Sequence, residues 1–232
     1  LTGEKAYISN APGADVYTLF ARTTAAAGSR GVTAFVVTSD MEGLSGEPIE
    51  MISPHPLGRI RLDEVFVPAS HVIGQVDQGF RVAMETLDLF RPSVGAFALG
   101  MAEAALRVAT GHATTRTAFG APIADFQGVS HQLANVRLDI EAAELLVYSA
   151  AAAHDSGDTE SLTGKAAMAK LHATETAQKA VDTAIQVLGA RGLEADSTLA
   201  HLYMEVRAPR IYEGTSEIQR NIIARELFNG RI

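Results

Sequence analysis

Cysteine is missing from the 232 residues, which excludes disulfides, thiolate metal sites and a cysteine nucleophile. Positive charge is scarce: 19 Lys and Arg against 27 Asp and Glu give a net charge of -8. That balance argues against a nucleic-acid partner, which needs a basic surface. No apolar run approaches the roughly 18 residues of a membrane helix, so no membrane partner is expected. Leu1-Thr2-Gly3 has neither a start methionine nor the pattern of a signal peptide. The expectation is that the native N-terminus lies upstream. Absent cysteine and absent export signals suit the cytoplasm. What the chain does have is 47% hydrophobic side chains, enough for one large core or for a small and a larger module.

Two halves differ in period. Ala6–Ser9, Val16–Phe20 and Ala34–Val37 are short β-branched or aromatic runs, separated by Ala11-Pro12-Gly13, Gly28-Ser29-Arg30-Gly31 and Asp40-Met41-Glu42-Gly43. Ile60, Leu62 and Val65-Phe66-Val67 read as a further strand ending at Pro68. From about Asp77 the period becomes helical. Phe80, Ala83, Met84, Leu87 and Arg91 share one face; Leu133, Val136, Ile140, Ala143 and Val147 form a second seam; Val181, Ile185 and Leu188 mark a third helix. Ile218–Leu227 is a shorter last helix with Thr215 or Ser216 as its N-cap. The fold class predicted is α+β: a partial antiparallel β-barrel or sandwich over 1–72, then an all-α up-down helical bundle over 73–232.

Most chemistry-bearing residue types are unpatterned. Seven histidines are scattered without ligand spacing to a carboxylate, so no metal site is expected. The glycines of Gly28-Ser29-Arg30-Gly31 and Gly43-Leu44-Ser45-Gly46 read as turns and not as phosphate loops. No serine sits in a Gly-x-Ser-x-Gly setting. The informative segment is Ile211-Tyr212-Glu213-Gly214-Thr215-Ser216-Glu217-Ile218-Gln219-Arg220. A carboxylate stands before glycine on a turn that opens a helix. Glycine allows close backbone approach to a ligand, the free N–H groups of a helix start can face an anion, and apolar neighbours can raise a carboxyl pKa into a base's range. On the residues alone, an ordinary helix entry with a solvated glutamate stays open as the alternative.

That segment, with Ile222-Ile223-Ala224-Arg225-Glu226 after it, resembles the signature of the acyl-CoA dehydrogenase family. Four further segments agree in the family's order: Gly3–Asn10, Gly79–Asp88 with Arg91-Pro92, Arg116–Gly120 with Phe126-Gln127, and Gln186–Ala190. The resemblance spans essentially the whole chain. It implies an oxidoreductase that holds flavin adenine dinucleotide (FAD) and desaturates an acyl-CoA thioester at Cα–Cβ to the trans-2-enoyl-CoA. Glu213 would be the base for the α-proton, with hydride passing from the β-carbon to flavin N5. An electron-transferring flavoprotein would be the acceptor.

The resemblance also implies roles residue by residue. Arg116 matches a residue reaching the pyrophosphate of the flavin in a neighbouring subunit, so a homo-oligomer, a dimer or tetramer, is implied. Phe119 and Gln127 match flavin contacts beside it. Gln186, Gly189 and Ala190 match the segment at the adenosine end. Tyr7 and Ser9 match the strand beside the isoalloxazine, and Thr215 and Glu217 complete the cofactor set. Asp88, Arg91, Tyr212 and Gly214 match positions near the acyl-CoA.

Departures from the family pattern are specific. Its Glu-Pro-x-Ala-Gly-Ser-Asp flavin segment and its N-terminal helical domain would lie upstream of Leu1. Ala190 and Leu193 replace a usual glycine and aromatic, and Ser53–Gly58 is an atypical loop. Some members carry the base on the first bundle helix, where this chain has Phe90. Competing readings are an acyl-CoA oxidase-like enzyme, a dehydrogenase for a carrier-protein thioester, and a non-catalytic assembly subunit or fragment.

Overall fold

The computed structural model describes all 232 residues, which divide into two units, Leu1–Thr86 and Leu87–Ile232. The first is built from strands β1 (Gly3–Ser9), β2 (Val16–Arg22), β3 (Val32–Thr38), β4 (Leu44–Ile49), β5 (Leu57–Leu62) and the short β6 (Val72–Ile73). Along β2, Tyr17 and Leu19 are buried while Val16 and Thr18 face outward, the period of two of a half-buried strand. All pairings are antiparallel, in two three-stranded sheets ordered β1-β5-β4 and β2-β3-β6. Tyr17, Leu19, Phe35 and Val37 from one sheet meet Ile60 and Leu62 from the other in a shared core. This is the expected sandwich.

Two strand expectations need correction. Ser45-Gly46, expected in a turn, lie inside β4 opposite Arg61 and Ile60. The glycine is there for close approach, since a Cβ on Gly46 would meet the Arg59 carbonyl oxygen at 2.8 Å and Pro12 Cβ at 2.9 Å. Conversely, Val65-Phe66-Val67 is no strand. The left-handed Glu64 (φ 53°) turns the chain out of the sheet, leaving Val65 buried and Phe66 exposed.

The helices are α1 (Gly79–Thr115), α2 (Gln127–Asp155), α3 (Thr159–Leu188), α4 (Thr198–Glu205) and α5 (Ser216–Phe228). A three-residue turn with left-handed Gly157 (φ 71°) reverses the chain between α2 and α3, where the Asp158 side chain accepts from the Ser161 N–H as N-cap. The Thr215 hydroxyl does the same for Ile218 at the start of α5. The bundle core is made of small residues. Ala98, Ala102, Ala105 and Ala109 of α1 and Ala173, Ala177, Ala180 and Ala184 of α3 are buried with Val136, Ile140 and Ala143 of α2. The α2 and α3 seams are thus as predicted.

The α1 stripe is not as predicted. Phe80 and Met84 are exposed, and the buried face begins only at Arg91. The reason lies in the first turns of α1, which belong to the strand unit. Gly79 is pressed against β3, where an added Cβ would stand 2.5 Å from the Ala34 nitrogen and 2.6 Å from the Thr33 carbonyl carbon. The two compact units meet at Thr86/Leu87, inside α1, further along than the boundary expected at 72/73. By length and mean hydropathy (1.2), α1 would suffice to cross a membrane, contrary to the reading of apolar runs, although Glu103 and Arg107 interrupt it. Its alanine face instead packs into the bundle.

Two glycines of α1 should respond in opposite ways. Gly79→Ala forces backbone against backbone and should destabilise the strand unit by about 1–3 kcal/mol. Gly100→Ala meets nothing within 4 Å and should stabilise the helix by up to about 1 kcal/mol. Thermal denaturation of the two variants beside the parent checks both signs.

Candidate active site

The segment before α5 makes two successive left-handed residues, Glu213 (φ 54°) and Gly214 (φ 93°). Glycine takes that conformation freely, but a glutamate there is strained by about 1–2 kcal/mol. Side chains from three helices hold it. The Glu213 carbonyl accepts from Arg91 Nε of α1 at 3.3 Å and from Gln219 Nε2 of α5 at 3.1 Å. The Gly214 carbonyl accepts from Lys170 Nζ of α3 at 2.8 Å and again from Gln219 Nε2 at 3.0 Å. A Cβ on Gly214 would meet Gln219 Nε2 at 2.7 Å and displace the amide that bridges the two carbonyls. Strain retained by such over-determined contacts is a mark of functional sites.

The Glu213 carboxyl is half-buried, and its buried Oε2 has no hydrogen-bond partner. Burial raises its pKa above the usual glutamate value, while the charges of Arg91 and Lys170 oppose the shift. Both cations are themselves buried. Burial presses Lys170 down to about 8, and it presses Arg91 down as well. The neighbouring Tyr212 is pushed up to about 12 by burial and by the Glu213 charge. Arg91 is neutralised by Asp88 at 2.9 Å, and Asp88 accepts from the Thr163 hydroxyl. Behind the turn, Glu175 accepts from the Ser216 hydroxyl and pairs with Arg210 at 2.8 Å. Such a carboxyl is a stronger base than a water-exposed glutamate, while its two cations favour the ionised form.

The structure brings Asp88, Arg91, Tyr212, Glu213, Gly214 and Thr215 together, with Glu217 exposed in the first turn of α5. A second set lies about 24 Å further along α3 from Lys170, taking sixteen residues at 1.5 Å. There Gly189 (φ 62°) ends α3 by donating to the Gln186 and Ile185 carbonyls, and Gln186 and Ala190 are exposed. Arg116 follows α1, and a two-rung hairpin comes next, Thr117–Ala118 with Ala121–Pro122. Phe119 (φ 51°) and Gly120 (φ 85°) form its tip, a turn whose twist suits a two-residue hairpin. Phe119 is 98% exposed and meets Phe126 edge to face at 6.1 Å. Gln127 begins α2 and is exposed. His112 lies in this region, its pKa held down by burial and by the charges of Arg191 and Arg116. In the first unit, Tyr7 (φ 59°) sits where β1 loses register with β5, and both Tyr7 and Ser9 are exposed.

Sequence reading missed Lys170, Gln219, Thr163 and Glu175. For Lys170 a signal existed: it is the one charged residue in phase with the buried alanines 166, 173 and 177.

The family model described as acyl-CoA dehydrogenase, C-terminal domain, matches residues 77–228. The chain is 41% identical over 230 residues to the 3-(aryl)acrylate reductase of Clostridium sporogenes, covering 98% of this chain and 60% of that protein. Among solved structures, butyryl-CoA dehydrogenase from Megasphaera elsdenii superposes with a TM-score of 0.94 at 34% identity, over 98% of this chain and 60% of that one. PigA with FAD and proline gives 0.95 at 30% identity, over 98% and 60%. The chain thus spans about three-fifths of the length of these relatives.

The Asp88–Arg91 pair yields a stability test. Asp88→Ala leaves the Arg91 guanidinium buried without its carboxylate, and should cost the helical unit about 3 kcal/mol. Denaturant unfolding checks it; a change under about 0.5 kcal/mol, the range of ordinary surface substitutions, would remove the pair from the site's support.

Proposed function

The chain belongs to the acyl-CoA dehydrogenase family, and from that premise we propose that it carries the catalytic base of an FAD-dependent enzyme that desaturates an acyl-CoA thioester to the trans-2-enoyl-CoA. The observation that carries this reading is Glu213. It is a half-buried carboxyl with a raised pKa and an unpartnered Oε2, fixed on a left-handed turn between two buried cations.

Each part of the turn has a task in this reading. Glu213 Oε2 receives the α-proton, and its missing partner leaves that lone pair free. Burial makes the carboxylate a stronger base than a solvated one, and the charges of Arg91 and Lys170 favour its ionised form. Arg91 is committed to Asp88 and to the Glu213 backbone, so the part of this pair is to hold the base and not to grip the acyl chain. Tyr212 and Gly214 flank the base on the substrate side.

The donor set suits the cofactor. Arg116 and Arg191 around His112 match a pyrophosphate, exposed Phe119 offers an aromatic face, and Gln127, Gln186, Gly189 and Ala190 offer exposed amide and backbone groups. Thr215 and Glu217 would add contacts from the start of α5. Bound FAD would supply the oxidising power that takes hydride from the β-carbon. An electron-transferring flavoprotein is the proposed acceptor, and the cytoplasm the proposed compartment.

Arg116, in the second set, resembles a residue that reaches a neighbour's cofactor, and that match supports a homo-oligomer. Leu138, Leu145 and Tyr148, all more than 60% exposed on α2, add apolar surface of the kind that marks an interface.

Glu213→Gln should retain flavin and lose reduction by acyl-CoA by several orders of magnitude. In the parent, kcat/KM should fall as pH drops through a carboxyl pKa above 4.5. Bleaching of the flavin by substrate measures both, and near-normal bleaching in Glu213→Gln would remove Glu213 from the role. Light scattering on the flavin-loaded protein should give a dimer or tetramer; a monomer would overturn the role given to Arg116.

A further inference from the structure

Lys170 is the largest fully buried side chain in the protein, set among Ala166, Ala167, Ala169 and Ala173. An ammonium is an expensive way to fill such a place. Its desolvation costs several kcal/mol, and an apolar side chain of similar volume would serve packing as well or better. The charge therefore has to be accounted for by what it touches. It donates to one atom, the Gly214 carbonyl oxygen, at 2.8 Å. The charged groups around it are Glu213 before α5, Arg91 on α1, Glu175 on its own helix and Glu217 on α5. Glu213 in turn is faced by Arg91 and Lys170.

Resting on the reading of Glu213 as base, we propose that Lys170 is a positioning residue for it: the buried ammonium holds the Gly214 carbonyl, fixes the left-handed Glu213–Gly214 backbone, and keeps the carboxylate charged and aimed at the substrate. Two independent effects follow from one group. The hydrogen bond fixes geometry, which Gln219 shares because its amide bridges both carbonyls. The charge is Lys170's own contribution, and Gln219 cannot replace it. Lys170 touches neither the reacting carbon nor the flavin in this account; it acts through Glu213.

The two effects separate experimentally in the flavin-loaded enzyme. Lys170→Met keeps the length of the side chain but removes donor and charge, and Gly214 retains its bond from Gln219, so the fold should survive. Its kcat should fall about a hundredfold, the scale of a small misplacement of reacting groups, with KM within threefold. Its acidic limb should move up by about one pH unit, because an opposing cation has gone. Lys170→Arg restores charge and donors, so its acidic limb should return to the parent value and its kcat should rise at least tenfold over Lys170→Met. Infrared titration of the carboxyl band that disappears in Glu213→Gln reads the same shift without turnover. A Lys170→Met enzyme with reduced thermal stability but an unmoved limb and carboxyl band would overturn the proposal and leave Lys170 a packing residue. Glu213→Gln, run in parallel, tells the two readings apart. If it is inactive while Lys170→Met works normally, only the positioning role fails; if it turns over, the assignment of the base fails and the proposal with it.

Discussion

Two consecutive peptide carbonyls, at Glu213 and Gly214, are held by side chains from three helices, and the candidate site depends on that arrangement. A left-handed glutamate would relax if α5 stood alone. It persists because Arg91, Lys170 and Gln219 each lose a hydrogen bond if the turn relaxes. The donors are buried, so their loss would leave unsatisfied polar groups in the interior, at about 1–3 kcal/mol apiece and more for the charged ones. The strain at Glu213 is small beside that.

Alanine makes this arrangement reachable. Small residues along α1 and α3 let helix backbones approach closely, so side chains as long as Lys170 and Arg91 can stretch across the gap and end on backbone oxygens. At Gly95 the approach is close: a Cβ would meet Val147 Cγ2 at 3.0 Å and the Ala169 carbonyl oxygen at 3.3 Å. Ala169 is the residue before Lys170, so the same contact that seats α1 on α3 also sets where the lysine starts its reach.

Much of this was legible in the residues. Periodicity found the α2 and α3 seams because Val136, Ile140 and Val181 really are core. The string around Glu213 was legible because turn, cap and acid sit in one short stretch, with Thr215 capping as expected. Where reading failed, tertiary contact outweighed local signal. Gly46 looked like a turn because glycine usually is, but here it admits the Pro12 ring. The Phe80–Met84 stripe had helical period without a partner in the bundle. Lys170 escaped because a lysine between alanines reads as a surface cation; only the phase shared with buried neighbours betrays it, and nothing in sequence says that its ammonium ends on a carbonyl 44 residues away.

The tip of the short hairpin after α1 has a consequence of its own. Phe119 projects almost wholly into solvent, yet both residues of its turn are locked left-handed and its ring leans edge-on against Phe126. Its disorder has already been given up in folding. A surface that receives this ring gains up to roughly 150–250 Å² of aromatic burial without first having to order a loop. With the turn ordered in advance, selectivity of a surface that receives the ring should reside in the shape of that surface.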